Sequence, residues 1–190
     1  MLKEQNFERE LPLGYKQALY LNAKNAKFGI VFNLIALVVL AIVMVVAILS
    51  LSFNNKLSSD IFKIDFTQLI VAYLIFFVAI IGYIVLHELV HGIAYKILTG
   101  EKLTFGISWS CAFCGVPHIY TYRKTAVVSV VSPFAVFTLL FILILVPLYV
   151  FSPLYYLIVA FVFGLHLGGC SGDLYVLYLF IAKFKNKKTN

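Results

Sequence analysis

The chain has 190 residues, of which 63% are hydrophobic and 12% charged, with a formal net charge of +7. That balance excludes an ordinary soluble domain and marks an integral membrane protein. The length allows one compact membrane bundle with no separate soluble domain, and the positive charge calls for no nucleic acid, because membrane topology and attraction to anionic headgroups account for it.

Residues 1–27 are mostly polar and read as a cytoplasmic segment. Leu11, Leu13, Tyr15, Leu19 and Tyr20 among its charges suit a stretch lying along the interface. Four apolar stretches follow, at about 28–53, 66–98, 125–151 and 153–184. Each is long enough to cross a ~30 Å hydrocarbon layer as a helix. The expected fold is therefore an all-α membrane protein: a bundle of four transmembrane helices over residues 28–184, with a short tail at 185–190. The first stretch is longer than a secretory apolar region and follows a polar segment, so it is expected to stay as an anchor. Phe151-Ser152-Pro153 joins the third and fourth spans directly, which makes them an antiparallel hairpin.

Lys and Arg near span ends are retained on the cytoplasmic side. The N-terminal segment carries Lys3, Arg9, Lys16, Lys24 and Lys27; the second connection and its flank carry Lys96, Lys102, Arg123 and Lys124; the tail carries Lys183, Lys185, Lys187 and Lys188. Only Lys56 and Lys63 lie elsewhere. A multi-pass protein of the cell membrane with both termini and the 99–124 loop in the cytoplasm is expected.

The second span ends in His87-Glu88-Leu89-Val90-His91, directly after eighteen uncharged, mostly apolar residues, Leu69 to Leu86. Positions four apart lie one above the other on a helix, so both imidazoles can grip one zinc ion while Glu88 serves as general base on the attacking water. Composition alone predicts roughly 0.002 such matches in a chain of this make-up, a small number for a motif known to give false positives.

Six of the eight acids (Glu4, Glu8, Glu10, Asp60, Asp65 and Glu101) lie in polar segments, which leaves Glu88 and Asp173 in the spans together with His87, His91 and His166. Ionisable groups in a membrane are costly and mark function by default. No Lys or Arg lies deep in a span to neutralise the carboxylates, whereas a divalent cation would. The alternative is a pair of protonated acids bonded to backbone or water. Counting inward from Lys96 and Lys183, His87 and Asp173 both lie about 14 Å deep, and His166 about 25 Å. Asp173 is thus the expected third ligand; His166 has the place of a residue behind the ligands, a channel residue or a packed histidine.

Gly164, Gly168 and Gly172 recur every fourth residue, which suits close packing of the fourth helix on a neighbour. Pro133 lies in the layer of the motif, and a proline inside a spanning helix frees a carbonyl and bends the chain.

In the second connection Leu103, Phe105, Ile107, Trp109 and Cys111 alternate with Thr104, Gly106, Ser108 and Ser110, a strand pattern. With Gly115-Val116-Pro117 as the turn and His118 to Tyr122 returning, a cytoplasmic β-hairpin between helices two and three is expected. Its free edge, at Ile107, Trp109 and Cys111, could hold an extended substrate by strand addition; a folded cap without a substrate role is the alternative. Cys111 and Cys114 with His118 have the look of half a zinc site, or of a redox pair, and lack the second pair or the strand-helix-strand setting either needs. Reduced thiols are expected for all three cysteines, with no disulfide framework.

His87 to Gly92 at the end of the second span, the Cys111 to Pro117 loop, the proline-containing third span and Ser171-Gly172-Asp173-Leu174-Tyr175 together resemble the zincin peptidases of small bacterial membrane proteins, which in turn resemble site-2 proteases. The resemblance covers about residues 66–183. It implies His87, His91 and Asp173 as zinc ligands and Glu88 as the base. Site-2 proteases often carry an extra peptide-binding domain and word their Asp segment differently, so substrate recognition does not carry over. The expected function is a membrane zinc metallopeptidase acting on a membrane protein or peptide. The rival classes are a non-catalytic zinc-binding assembly factor and a transporter, the latter disfavoured by the absence of a repeat.

Overall fold

The computed structural model describes residues 7–11, 13–14, 26–57, 64–107, 112–115 and 119–183. In chain order the elements are β1 (Phe7–Glu8), α1 (Ala26–Phe53), α2 (Phe66–Thr99), β2 (Thr104–Ile107), β3 (Ala112–Gly115), β4 (Tyr120–Thr121), α3 (Arg123–Phe151), α4 (Pro153–Gly169) and α5 (Ser171–Tyr178), which ends in a π-helical turn at Leu179–Lys183. The protein is all-α, with four helical segments long and apolar enough to span a membrane: Phe28–Phe53, Phe66–Thr99, Arg123–Phe151 and Pro153–Ala182.

Burial runs opposite to that of a soluble protein. In the most apolar windows of the first three spans only 11% of residues are buried, and Leu, Ile and Val side chains such as Leu34, Leu37, Val38, Val78 and Leu143 face outward. Exposed apolar surface on that scale fits lipid, not water, as the surrounding solvent. The buried set instead includes His87, His91, Thr125, Ser129 and His166.

Local chemistry explains where the helices begin and end. α2 stops at Gly100, whose φ of 72° lies in the left-handed region open to glycine. There Lys96 Nζ donates to the carbonyls of Gly100 and Glu101 at 2.9 and 3.2 Å, placing a cation at the helix's negative end. α4 opens with extended Ser152 as N-cap and a proline in its first turn, the position where the missing amide costs nothing. The fourth span is not one unbroken helix: it is interrupted at Cys170, after the weak helix formers Gly168 and Gly169.

The chain divides into two units. One comprises Val31–Leu86 and Phe134–Ser171. Within it the glycines of α4 lie against α1: a Cβ at Gly164 would stand 2.7 Å from Leu40 Cδ1, and one at Gly168 only 2.6 Å from Ala36 Cα. At Gly172, in the second unit, a Cβ would meet nothing within 4 Å, so the glycine spacing serves α1–α4 packing and does not extend to the segment carrying Asp173. Lys56 donates to the Tyr149 carbonyl at 2.9 Å and lies over the Tyr149 ring, while the Tyr149 hydroxyl donates to the Ser50 carbonyl at 3.2 Å.

The other unit comprises Met1–Ile30, His87–Pro133 and Gly172–Asn190. Here β2 and β3 form an antiparallel hairpin in register Thr104↔Gly115 through Ile107↔Ala112. The hairpin exists, but the strand paired with β2 is Ala112–Gly115 and not the segment after Gly115-Val116-Pro117, whose residues 116–118 lie outside the described ones. The segment expected to return across β2 contributes instead β4, which pairs with β1 (Phe7↔Thr121, Glu8↔Tyr120). An alternating pattern signals a strand but not its end, and a partner more than a hundred residues away leaves no local trace. Tyr122 Oη donates to Glu8 Oε1 at 2.7 Å and Arg9 pairs with Glu101 at 2.7 Å, tying the N-terminal strand to this connection.

Candidate metal centre

His87 and His91 lie one turn apart on α2, each 8% exposed, with their rings edge to face and centroids 5.0 Å apart. Their spacing directs both Nε2 atoms to the same place. Asp173, in the first turn of α5, meets them there: its Oδ2 is 3.3 Å from His87 Nε2 and 3.4 Å from His91 Nε2. Glu88 stands beside them, with ligand atoms of His87, Glu88 and His91 all within 4.8 Å of one another.

On its far side, His91 Nδ1 is 2.8 Å from the backbone carbonyl of Ser129. A carbonyl only accepts, so Nδ1 carries a proton, and with the ring neutral its Nε2 would face the Asp173 carboxylate unprotonated. Two acceptors then face each other at 3.4 Å. Such a pair needs a positive charge between or upon it, either a proton or a metal ion.

The hairpin lies over the motif at Gly92. A Cβ there would be 2.8 Å from Cys114 Sγ, 3.1 Å from Leu103 Cδ1 and 3.3 Å from Phe105 Cζ, so any larger residue would have to displace these side chains for β2 and β3 to sit this close to α2. The Cys114 amide interacts with the Glu88 carboxylate. Burial, and then the charge of Glu88, push the Cys114 thiol above its ordinary pKa. Trp109, Cys111 and His118 lie outside the described residues, and of Ile107 the described part is the backbone paired with Ala112.

His166 belongs to the other unit and has its own partners. It is 0% exposed, with Tyr83 Oη 3.0 Å from Nδ1 and Thr138 Oγ1 3.0 Å from Nε2. Tyr83, Phe134, Phe137, Phe141 and Phe163 surround the ring. Both ring nitrogens thus have a hydroxyl within hydrogen-bond distance. The residue missed in the sequence is Ser129, whose contribution is a backbone carbonyl. Its only signal was Pro133, four residues later.

The family model described as "Putative zincin peptidase" matches residues 80–188, more than half of the chain. The chain belongs to this family. No curated protein and no solved structure matches it. The matched stretch contains His87, Glu88, His91, Ser129, Pro133 and Asp173. Family membership and four spanning helices fit a membrane metallopeptidase, and a zincin family implies zinc.

The residues present fit that metal. In tetrahedral zinc sites with bonds of about 2.0–2.1 Å, neighbouring ligand atoms stand about 3.3–3.4 Å apart. Oδ2 of Asp173 stands at 3.3 and 3.4 Å from the two imidazole nitrogens. Those separations exceed the ~2.9–3.0 Å of an ordinary N–H···O bond, and two imidazoles with one carboxylate form a known catalytic zinc donor set.

Proposed function

We propose that this chain is a membrane-embedded zinc metallopeptidase that hydrolyses a peptide bond of a membrane protein or peptide within or beside the bilayer, in the manner of site-2 proteases. The observation that carries the reading is the convergence of His87 Nε2, His91 Nε2 and Asp173 Oδ2 at 3.3 and 3.4 Å, with Glu88 alongside.

His87, His91 and Asp173 would hold the metal, and the carboxylate of Asp173 would offset part of its charge. When bound, zinc supplies a Lewis acid that lowers the pKa of water to about 7 and polarises the scissile carbonyl. Glu88 accepts the proton of the attacking water and delivers it to the leaving amine. The Ser129 carbonyl holds His91 in the tautomer this arrangement needs. Burial of both histidines keeps bulk water from competing, so water and substrate enter by a polar route from the cytoplasmic side.

A peptide bond in a transmembrane helix is shielded by the helix's own hydrogen bonds, so the substrate unwinds locally before it is cut. The β2–β3 hairpin lies against Gly92 through Leu103, Phe105 and Cys114, and in this reading an unwound segment pairs with the hairpin's edge by strand addition. Both termini face the cytoplasm in this reading, as the distribution of Lys and Arg requires.

The test is purified protein analysed for zinc, with membrane peptides compared between cells carrying the wild type and Glu88→Gln. The amide keeps the shape of the acid but cannot take the proton, so the variant retains fold and zinc while turnover falls by about 10²–10⁴. Peptidase activity retained in Glu88→Gln sinks the mechanism. Zinc-dependent function in cells without any need for Glu88 would favour an assembly factor.

A further inference from the structure

Pro133 lies buried within α3, which runs unbroken from Arg123 to Phe151. In an α-helix the carbonyl of residue i accepts the amide N–H of residue i+4, and proline has no N–H to give. The acceptor left without that donor is the carbonyl of residue 129, the same carbonyl that lies 2.8 Å from His91 Nδ1. The proline ring also crowds the i−4 carbonyl and turns it out of line. Ser129 is itself 0% exposed, so bulk water does not take the place of the missing amide, and its side-chain Oγ has no hydrogen-bond partner among the described residues. The contact to His91 is thus made by the backbone, at the one place in this turn where the helix ladder is open.

We propose that Pro133 is a positioning residue for the metal centre. By withholding an amide from Ser129 it reserves that carbonyl for His91 Nδ1–H, which fixes the tautomer and ring orientation that turn Nε2 toward Asp173. The final step, metal binding, rests on the metallopeptidase reading above; the hydrogen bond and the tautomer do not. The logic is that of a hydrogen bond behind a metal-binding histidine, where loss of the outer partner typically weakens metal affinity 10- to 100-fold. Here the outer partner is backbone, so it cannot be deleted by replacing Ser129; it can be competed away by restoring the amide four residues on.

Two variants of the full chain separate the missing N–H from the kink. Pro133→Ala supplies an amide that bonds to Ser129 and suits a helix better than proline. A second protein carries at position 133 the α-hydroxy analogue of alanine, an ester that lacks both the ring and the N–H. The readouts are the ¹⁵N imidazole spectrum of metal-free, histidine-labelled protein, assigned by single-histidine substitutions, and zinc affinity by chelator competition. In the wild type His91 carries its proton on Nδ1. Pro133→Ala should lose that single tautomer and bind zinc about 10- to 100-fold more weakly, and the ester should restore both. An Nδ1–H tautomer and wild-type zinc affinity in Pro133→Ala overturn the proposal, as does an ester that behaves like Pro133→Ala, which would assign the effect to the ring. If the tautomers respond as stated but the wild type takes up no zinc, the role of Pro133 stands and the metallopeptidase reading falls.

Discussion

Oδ2 of Asp173 stands 3.3 Å from Nε2 of His87, although the two residues are 86 positions apart in the chain. In sequence His87 lies nine residues before Lys96 and Asp173 ten before Lys183. A carboxylate so placed beside two imidazoles in an apolar layer calls for a compensating positive charge, a proton or a metal ion.

The close approach of α4 to α1 predicts an asymmetric response to adding methyl groups. At Gly168 a Cβ meets Ala36 backbone at 2.6 and 2.7 Å, atoms that cannot rotate away, whereas at Gly172 it meets nothing within 4 Å. Gly168→Ala should cost roughly 1–3 kcal/mol by forcing the helices apart, read as a drop of several degrees in the unfolding midpoint in detergent. Gly172→Ala should leave that midpoint unchanged or raise it by the gain in helix propensity, up to about 1 kcal/mol. Equal effects at the two sites would contradict the packing described.

Gly92 predicts a loop phenotype. Gly92→Ala places a methyl group 2.8 Å from Cys114 Sγ, and Leu103 and Phe105 leave it little room to move. The hairpin should lift from α2, making the Cys114 thiol faster to alkylate at neutral pH as burial is lost and its raised pKa falls. Mass spectrometry of the labelled peptide measures this. Unchanged alkylation would show that the hairpin is not held at Gly92.

The spans and the histidine pair were legible because each is a one-dimensional property of a helix: apolar length and a spacing of four. What stayed hidden is pairing between elements. The period of two in residues 103–111 announced a strand, yet the pairing of β2 with Ala112–Gly115 and the union of β4 with β1 depend on distant partners. The glycine spacing marked a packing face, but not that α1 covers Gly164 and Gly168 and leaves Gly172 open. The Ser129 contact left no side-chain signature, since its carbonyl is common to every residue, and only the proline four positions on pointed to it.

Orientation in the membrane is a further prediction. Tags at both termini should be protected from outside, and a cysteine at Asn55 should be labelled by an impermeant reagent added externally. Asn55 has a φ of 51°, so the substitution carries about 1–2 kcal/mol of backbone strain, tolerable at an exposed turn. A C-terminus accessible from outside would overturn the topology.

The zinc content of two purified variants, which identifies the third ligand, is the most direct test of a site built on two histidines and one aspartate. Asp173 converges on both imidazoles, whereas His166 has each ring nitrogen engaged, by Tyr83 and by Thr138. Asp173→Ala should therefore lose zinc and activity. His166→Ala should keep zinc while losing about 1–3 kcal/mol of stability from the stranded hydroxyls. If His166→Ala loses its zinc and Asp173→Ala retains it, the metal is held by three histidines and Asp173 is not a ligand.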